Sequence, residues 1–329
     1  MNPGSYRFHN KVSLRNRIHR LARMAAKDHL PEDVMAIPGM TSYYERECLY
    51  RAALRIEPFG QIVDLGSWLG SLTASLAAGV MANPRLSVES TRIYAYDTFV
   101  WSGWMDPIAG PFGVTGYVEG DSFLPAFRRQ VKKWEALIEV RAGDVADFPW
   151  DGQPISILVI DAMKDEGTAR FIMTNFFPSL VEGKSLVFQQ DFAHFYTSWI
   201  HLIWYRIRES LELIEDLPES GGSLYRYVKT IPAERYSEIL DFSSASDDEW
   251  KRAFAHSRGL VRSDKVHMVA AAEIMRFLHA HRGEDAAAAA MRHRQDGNWG
   301  SEVERVINTP EWGQFAAAPW QRLTASNAS

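Results

Sequence analysis

The sequence predicts an α/β fold with a doubly wound, mostly parallel sheet. Four apolar segments follow one another along the chain, and each leads to an aspartate, namely Asp64, Asp97, Asp144 or Asp161. A glycine-containing turn and a helix-forming segment follow the first aspartate. Because such folds bind ligands at the carboxyl ends of their parallel strands, we expect the four acids to meet at one edge of the sheet.

Residues 61–73 predict the first strand, a tight turn and the start of a helix. Gly66 and Gly70 allow the backbone to turn sharply and to approach a ligand closely. The pattern differs from the dinucleotide fingerprint, because Trp68 stands where the middle glycine would be and Asp64 heads the motif. A carboxylate here would repel a phosphate, so the motif suits a ligand with hydroxyl or ammonium groups. A single strand followed by Asp is also compatible with a helix N-cap.

Length and composition fit a globular enzyme with one catalytic domain and substantial additions. The 329 residues carry a net charge of −5, which argues against a nucleic-acid partner because such proteins need a basic face. The single cysteine, Cys48, excludes an intrachain disulfide, so we expect a reducing, cytoplasmic location. No segment is long and apolar enough to predict a transmembrane helix.

Taken together, the motifs at residues 61–73, 93–99, 140–145 and 155–161 resemble those of the class I S-adenosylmethionine-dependent methyltransferases. The resemblance implies a Rossmann-like, seven-stranded sheet that binds S-adenosylmethionine at its carboxyl edge. It also implies that the second-strand acid holds the ribose hydroxyls and that the third motif lies beside the adenine. The candidate cofactor-binding residues in these motifs are Asp64, Gly66, Ser67, Gly70, Ser71, Asp97, Thr98, Gly143, Asp144 and Val145.

A segment before the first strand indicates one particular family of these methyltransferases. Residues 39–42 read Gly-Met-Thr-Ser and precede a predicted helix that Thr41 or Ser42 can cap. With the strand motifs, this segment is similar to the macrocin O-methyltransferase family, which acts on sugar hydroxyls of antibiotics and related glycosides. The resemblance covers residues 40–192 and implies that the segment forms a lid over the cofactor. Met40 and Thr41 are therefore candidate cofactor contacts, and the alternative is that this segment only caps the helix.

The resemblance also implies a magnesium ion, held by carboxylates at the ends of the fourth and fifth strands. The family has Ile-Asp-x-Asp at the first place and Asp-Asp at the second. Here Asp161 is retained, whereas Met163 replaces the second acid and Gln190-Asp191 replaces the pair. A hard dication accepts neutral amide oxygens, so the candidate ligands are Asp161, Gln190 and Asp191. Two carboxylates make a weaker site, and methyl transfer with or without a metal is compatible with the sequence.

Methyl transfer to a hydroxyl needs a general base or a metal that weakens the O–H bond. Asp191 and His194 stand three residues apart just after the predicted fifth strand, and a helical turn would place them on one side. His194 is the candidate base, and Asp191 and Asp161 complete the catalytic set. The alternative interpretation is a structural or substrate-orienting histidine. His201 is a weaker candidate.

Residues 100–117 are rich in glycine and proline, which excludes a regular helix and predicts a loop over the sheet edge. The loop carries Trp101, Trp104, Phe112 and Tyr117. Aromatic faces stack on sugar rings, so these side chains are candidates for substrate contact. The alternative is that they anchor the loop to the core.

Three regions are predicted along the chain. Residues 1–58 form a basic N-terminal helix and the lid segment, residues 59–232 the S-adenosylmethionine-binding methyltransferase domain, and residues 233–329 a helical C-terminal extension. Within the second region we expect a helix over residues 198–213 and a closing strand over residues 223–229. The basic helix fits packing on its own domain or a second subunit, or contact with an anionic membrane or an acidic partner. The extension fits a subunit contact or a cover over the substrate, so a homo-oligomer is compatible with the sequence.

The predicted function is an S-adenosylmethionine-dependent O-methyltransferase whose acceptor is a small molecule, a sugar, glycoside or similar polar natural product. An N-methyltransferase and a nucleotide-sugar oxidoreductase are the enzymatic alternatives, and the absent dinucleotide fingerprint counts against the second. A non-catalytic protein that keeps the cofactor pocket is a further alternative, because Met163 and Gln190 depart from the metal pattern.

Overall fold

A seven-stranded sheet forms the centre of the computed structural model, which describes residues 29–326. The strands are β1 (Gln61–Leu65), β2 (Ile93–Asp97), β3 (Ile138–Ala142), β4 (Ile155–Ile160), β5 (Leu186–Gln189), β6 (Leu211–Asp216) and β7 (Ser223–Tyr227). Their order is β3-β2-β1-β4-β5-β7-β6. Strands β1 to β5 pair in parallel, and β7 lies antiparallel between β5 and β6. The predicted doubly wound, mostly parallel sheet is confirmed.

The strand order reverses between β1 and its neighbour β4, and this reversal positions the candidate site. The chain proceeds from β1 outward through β2 to β3, and then returns to β4 on the other side of β1. Connections leave the two central strands in opposite directions, so a crevice opens at their carboxyl ends. Asp64, near the end of β1, lies opposite Ala95 on β2 and Val159 on β4. The crevice therefore opens beside the carboxyl end of β1, in the centre of the sheet.

Helices cover both faces of the sheet because its central strands are apolar on both sides. The helices before and between the strands are α1 (Glu32–Met35), α2 (Tyr43–Arg55), α3 (Ser71–Ala82), α4 (Asp106–Ala109), α5 (Leu124–Gln130), α6 (Glu166–Asn175) and α7 (Ser198–Arg206). Ile62 of β1 packs with α2 and α3 in one core, and the next residue, Val63, packs with α6 and α7 in another. This alternation is what a strand buried on both faces requires.

The C-terminal part of the described chain is helical, with its own small apolar core. Its helices are α8 (Tyr236–Ile239), α9 (Asp247–Leu260), α10 (Val266–His279), α11 (Gly283–Gln295), α12 (Ser301–Ile307) and α13 (Ala317–Ser326). The buried Glu273 of α10 accepts hydrogen bonds from Arg258 of α9 at 2.8 Å and Arg292 of α11 at 2.9 Å. Helices α9 and α10 contact α7, which joins the extension to the sheet region.

One predicted element is wrong. The helix expected over residues 198–213 ends at Arg206, and β6 begins at Leu211. Leu211 and Leu213 are half-buried while Glu212 between them is exposed, which is the two-residue period of a strand. Pairing with β7 stabilises that strand.

Two further predictions concern the N-terminal segment and the boundary between regions. The predicted basic helix falls on residues 1–30, of which residues 1–28 lie outside the described residues. The boundary predicted at residue 232 lies in the connection between β7 and α8, and the three-region division stays a prediction. Within residues 29–326, no helix combines the length and apolar character needed to span a membrane.

Candidate active site

The turn after β1 has a backbone that depends on its glycines. Gly66 has φ +94°, and a Cβ atom built there would lie 2.7 Å from the carbonyl oxygen of Asp161 at the end of β4. Gly70 has φ +92° and begins α3. Trp68, between them, also lies in the left-handed region with φ +41°, which is strained for a residue with a side chain. The turn therefore brings backbone close to the carboxyl edge of the sheet.

Asp97 at the end of β2 is tied to this turn. Its Oδ2 accepts a hydrogen bond from the backbone N–H of Trp68 at 2.8 Å, and its Oδ1 accepts one from the N–H of Phe99 at 2.7 Å. Burial raises the pKa of Asp97. The hydroxyl of Thr98 also donates to Oδ1, at 3.5 Å. Since a carboxylate has about four acceptor positions, one remains for a ligand, on Oδ2.

Asp64 supports the turn from below. Its side chain is fully buried, and its Oδ2 accepts the hydroxyl hydrogen of Thr73 at 2.5 Å. Its Oδ1 is buried without a hydrogen-bond partner among the described residues. Burial raises the pKa of Asp64 to about 6. The Asp64 carboxylate thus bonds to α3 and lies outside the cavity lining, and its contact with a cofactor stays a prediction.

A cavity of about 440 Å³ opens at the carboxyl ends of β1, β2 and β4. Eight of the predicted site residues line it, namely Met40, Gly66, Asp97, Thr98, Gly143, Asp144, Val145 and Asp161. The other lining residues are Leu65, Trp68, Tyr96, Trp104, Met105, Ala162, Lys164, Asp165 and Thr168. The structure thus brings together residues from all four strand-end motifs.

Five predicted cofactor residues do not line this cavity: Thr41, Asp64, Ser67, Gly70 and Ser71. Ser67 is buried and donates to the main-chain oxygen of Asp64 at 3.2 Å. Ser71 is also buried, and its hydroxyl lies 3.0 Å from that of Thr41. The polar side chains of this set form hydrogen bonds with other protein atoms and so hold the turn and the preceding segment in place.

The segment before α2 contributes one residue to the cavity, and its role as a lid stays a prediction. Met40 is half-exposed and lines the cavity. Thr41 accepts a hydrogen bond from Nε of the buried Arg46 at 2.8 Å. The Nη1 atom of Arg46 donates to the carbonyl oxygens of Val34 at 3.1 Å and Ile37 at 2.8 Å. One guanidinium therefore fixes the path of the whole segment.

Helix capping and cavity contact belong to different residues of this segment. Ser42 is the N-cap of α2, and its Oγ accepts the N–H of Glu45 at 3.2 Å. The Glu45 carboxylate in turn accepts the N–H of Ser42 at 2.6 Å, which completes a capping box. The predicted alternatives are therefore both present, with Ser42 as the cap and Met40 at the cavity.

Lys164, which the sequence motifs did not predict as a site residue, joins the acids at the ends of β4 and β5. The Nζ atom of Lys164 lies 2.8 Å from Oδ1 of Asp161 and also contacts Oδ2 of Asp191. Burial lowers the pKa of Lys164, but the two carboxylates outweigh it and raise the pKa above the usual value. The sequence spacing indicates the first of these contacts, because a lysine three residues after a strand-end acid can reach back to that acid.

The predicted magnesium ligands do not fit a dication. The Lys164 ammonium already occupies the space between the two acids. With nitrogen toward Asp161, the Gln190 amide donates to Oδ1 at 3.3 Å, so its oxygen is turned away. Met163 is fully buried with its sulfur 3.4 Å from Nε2 of Gln189. No group of three acidic, histidine or cysteine side chains suited to a metal occurs in the part of the chain that the structure describes.

His194 lies in the turn after β5, beside the cavity region rather than in its lining. Its Nδ1 accepts the N–H of Tyr196 at 3.3 Å, and its ring stacks on Phe195 with centroids 4.9 Å apart. Burial lowers the pKa of His194, and Asp191 opposes this shift. A neutral imidazole results, which can accept a proton. His201, the weaker candidate, is fully buried and makes no site contact.

The aromatic residues of the 100–117 loop divide into anchors and cavity residues. Trp101 is fully buried, stacks on Tyr117 at 4.9 Å and donates its Nε1–H to Asp106 at 2.9 Å. Trp104 is half-exposed, lines the cavity and stacks on Trp68 at 6.3 Å. Trp101 therefore anchors the loop and Trp104 lies at the cavity, where substrate contact stays a prediction, while Phe112 is exposed and does not line the cavity.

Solved structures with a similar fold include methyltransferases. The O-methyltransferase NovP is 15% identical over 58% of this chain and 82% of its own, with a TM-score of 0.43. CalS11, a TDP-rhamnose 3'-O-methyltransferase of calicheamicin biosynthesis, is 14% identical over 66% and 87%, with a TM-score of 0.40. A methyltransferase from Geobacter sulfurreducens is 17% identical over 65% and 96%, with a TM-score of 0.41.

A TDP-rhamnose O-methyltransferase is thus among the structures that this chain resembles, and a tRNA methyltransferase is among them as well. No family model matches the sequence, and no curated protein matches it. These low identities and TM-scores leave the function to be argued from the residues of the site.

Proposed function

We propose that this chain is an S-adenosylmethionine-dependent O-methyltransferase that acts on a hydroxyl of a sugar, glycoside or similar polar small molecule. The observation that carries the proposal is the cavity at the strand-order reversal, where Asp97 meets the glycine turn after β1. Crevices at such reversals are the usual ligand sites of doubly wound sheets.

The charge of the cavity favours this cofactor over a dinucleotide. Asp97, Asp144, Asp161 and Asp165 line it, and Lys164 is the one basic side chain among the described lining residues. An acidic cavity repels a pyrophosphate and attracts a ligand with ammonium and sulfonium groups. The acceptor position left on Oδ2 of Asp97 suits a hydroxyl of a ribose, and Asp144 and Val145 of the cavity lining would border the adenine.

The bound cofactor supplies an electrophilic methyl group on a positively charged sulfur. In the transfer, the acceptor oxygen would take the methyl group as the S–C bond broke, the electron pair of that bond would stay on sulfur, and the hydroxyl proton would pass to a base. The protein must align the acceptor oxygen and receive the proton. His194 is the proposed proton acceptor, because burial lowers its pKa and it follows the same strand end as Asp191.

Calorimetry with S-adenosylmethionine and, separately, with NAD tests the proposal. We expect binding of S-adenosylmethionine and none of NAD. The reverse result would overturn the proposal, because it would make the cavity a dinucleotide site. An assay of methyl transfer from labelled S-adenosylmethionine to a panel of glycosides then tests the acceptor class. Cofactor binding without transfer to any hydroxyl compound would favour the N-methyltransferase or non-catalytic alternatives.

A further inference from the structure

We propose that Lys164 is the resident cation of the acceptor side of this cavity and takes the place of a divalent metal ion there. This inference rests on the proposed function, because the acceptor hydroxyl would be held at the carboxyl edge of the sheet beside Lys164. Its test measures cation binding alone and is therefore independent of methyl transfer.

The ammonium group lies between two carboxylates from neighbouring parallel strands. Its nitrogen is 2.8 Å from Oδ1 of Asp161 after β4 and contacts Oδ2 of Asp191 after β5. The side chains of these acids are only 18% and 10% exposed, whereas that of Lys164 is 54% exposed. The positive charge of the lysine thus offsets the repulsion between these two acids.

A divalent cation and this ammonium would compete for the same oxygen atoms. Two cations at hydrogen-bonding range of the same carboxylates repel each other strongly where water is scarce. The neighbouring groups also favour the ammonium, because Gln190 turns its amide nitrogen toward Asp161. Met163 is fully buried and does not line the cavity, so its sulfur is not a ligand for a cation there.

The lysine also has a hydrogen atom left for a ligand. An ammonium group has three N–H donors, and Asp161 and Asp191 take two of them. Lys164 lines the cavity, so the third N–H is available to an oxygen bound there. An acceptor oxygen would gain negative charge as its proton leaves, and a fixed positive charge beside it stabilises that change. Lys164 keeps its own proton throughout.

A cysteine substitution allows the charge to be removed and then restored. The chain has one cysteine, Cys48, which is buried, so a new thiol at position 164 is selectively accessible. Alkylation of Lys164→Cys with 2-bromoethylamine rebuilds a side chain of nearly lysine length with an ammonium end. Mn²⁺ binding is then measured for each form by the loss of the electron paramagnetic resonance signal of free Mn²⁺.

We expect wild-type protein to bind Mn²⁺ poorly and Lys164→Cys to bind it at least about tenfold more tightly, because the competing charge is gone. Aminoethylation should return the affinity to the wild-type value. Equal Mn²⁺ affinity of wild type and Lys164→Cys would overturn the proposal, as would a gain that aminoethylation does not reverse. Lys164→Met, which carries no thiol, should show the same gain, and Lys164→Arg should not.

Lys132→Cys is the matched control. Lys132 is an exposed lysine that pairs with Glu135 three residues away, and neither residue lines the cavity. This variant should show no gain in Mn²⁺ affinity before or after alkylation. S-adenosylhomocysteine binding, measured on the same samples, reports separately on the proposed function. Failure of that ligand to bind would overturn the proposed function and leave the result on Lys164 unchanged.

Discussion

The backbone N–H of Trp68 donates to Oδ2 of Asp97 at 2.8 Å and so joins the turn after β1 to the end of β2. Trp68 has a positive φ of 41°, a conformation that persists only where surrounding contacts hold it. The carboxylate provides such a contact while its Oδ1 binds the N–H of Phe99. The glycine turn and the acid that is proposed to bind the ribose therefore form one structural unit.

Substitution of Asp97 should affect stability and cofactor affinity together. In Asp97→Asn, the amide nitrogen faces one of the two backbone N–H groups, so one charge-assisted hydrogen bond is lost. We expect the free energy of unfolding to fall by about 1.5–3 kcal/mol. S-adenosylhomocysteine affinity, measured by calorimetry, should fall about tenfold or more.

Asp151→Asn is the control for this variant. Asp151 is an exposed carboxylate that also accepts a backbone N–H, that of Gln153 at 3.0 Å, and it does not line the cavity. Its replacement should leave cofactor affinity unchanged. If Asp97→Asn bound the ligand as wild type does, the assignment of the ribose to Asp97 would be wrong.

The buried Asp64 should make stability depend on pH. Its pKa is raised to about 6 by burial, while the unfolded value is about 3.9. The folded protein therefore binds more protons than the unfolded chain between these values. The stabilisation is fully present below the unfolded pKa and is lost as pH rises through the folded pKa. The loss is about 3 kcal/mol at most.

Urea unfolding of wild type and Asp64→Asn at several pH values between 4 and 8 measures this effect. The variant cannot ionise at position 64, so its stability relative to wild type should increase as pH rises toward about 6. If the difference in free energy of unfolding between the two proteins were the same at every pH in this range, the Asp64 carboxylate would not have a raised pKa.

The sequence predicted the sheet and the cavity better than the chemistry inside it. Strand-end acids such as Asp97 could be found because a parallel sheet places the ends of its strands at one edge. Asp64 fits the same pattern, yet its side chain points beneath the turn, and a strand motif does not encode that direction. The spacing of Lys164 from Asp161 indicates their contact, whereas the contact of Lys164 with Asp191, 27 residues further along the chain, does not follow from spacing. Strand β6 was mistaken for helix because only its pairing with β7 decides between the two.

Arg46 should control the order of the segment over the cavity. Lysine in its place keeps the charge but has a single nitrogen, which cannot bond Thr41, Val34 and Ile37 in the same geometry. We expect Arg46→Lys to lose roughly 2–3 kcal/mol of stability. Proteolytic cleavage within residues 32–41 should become faster, and bound S-adenosylhomocysteine should slow it again.

Arg85→Lys is the control, since Arg85 also donates to a main-chain carbonyl, that of Arg55, but at an exposed position. It should leave cleavage within residues 32–41 unchanged. Equal cleavage rates for Arg46→Lys and wild type would contradict the view that this guanidinium holds the segment.

Removal of His194 should slow methyl transfer without weakening cofactor binding. The side chain does not line the cofactor cavity, so His194→Ala should bind S-adenosylhomocysteine with wild-type affinity. If His194 receives the acceptor proton, kcat with a glycoside from the acceptor panel should fall by about 10²–10⁴. His279→Ala is the control, because His279 is an exposed histidine that does not line the cavity and whose ring lies 5.8 Å from that of Tyr196. A wild-type kcat in His194→Ala would remove this residue as the base and leave Asp191 as the remaining candidate after that strand.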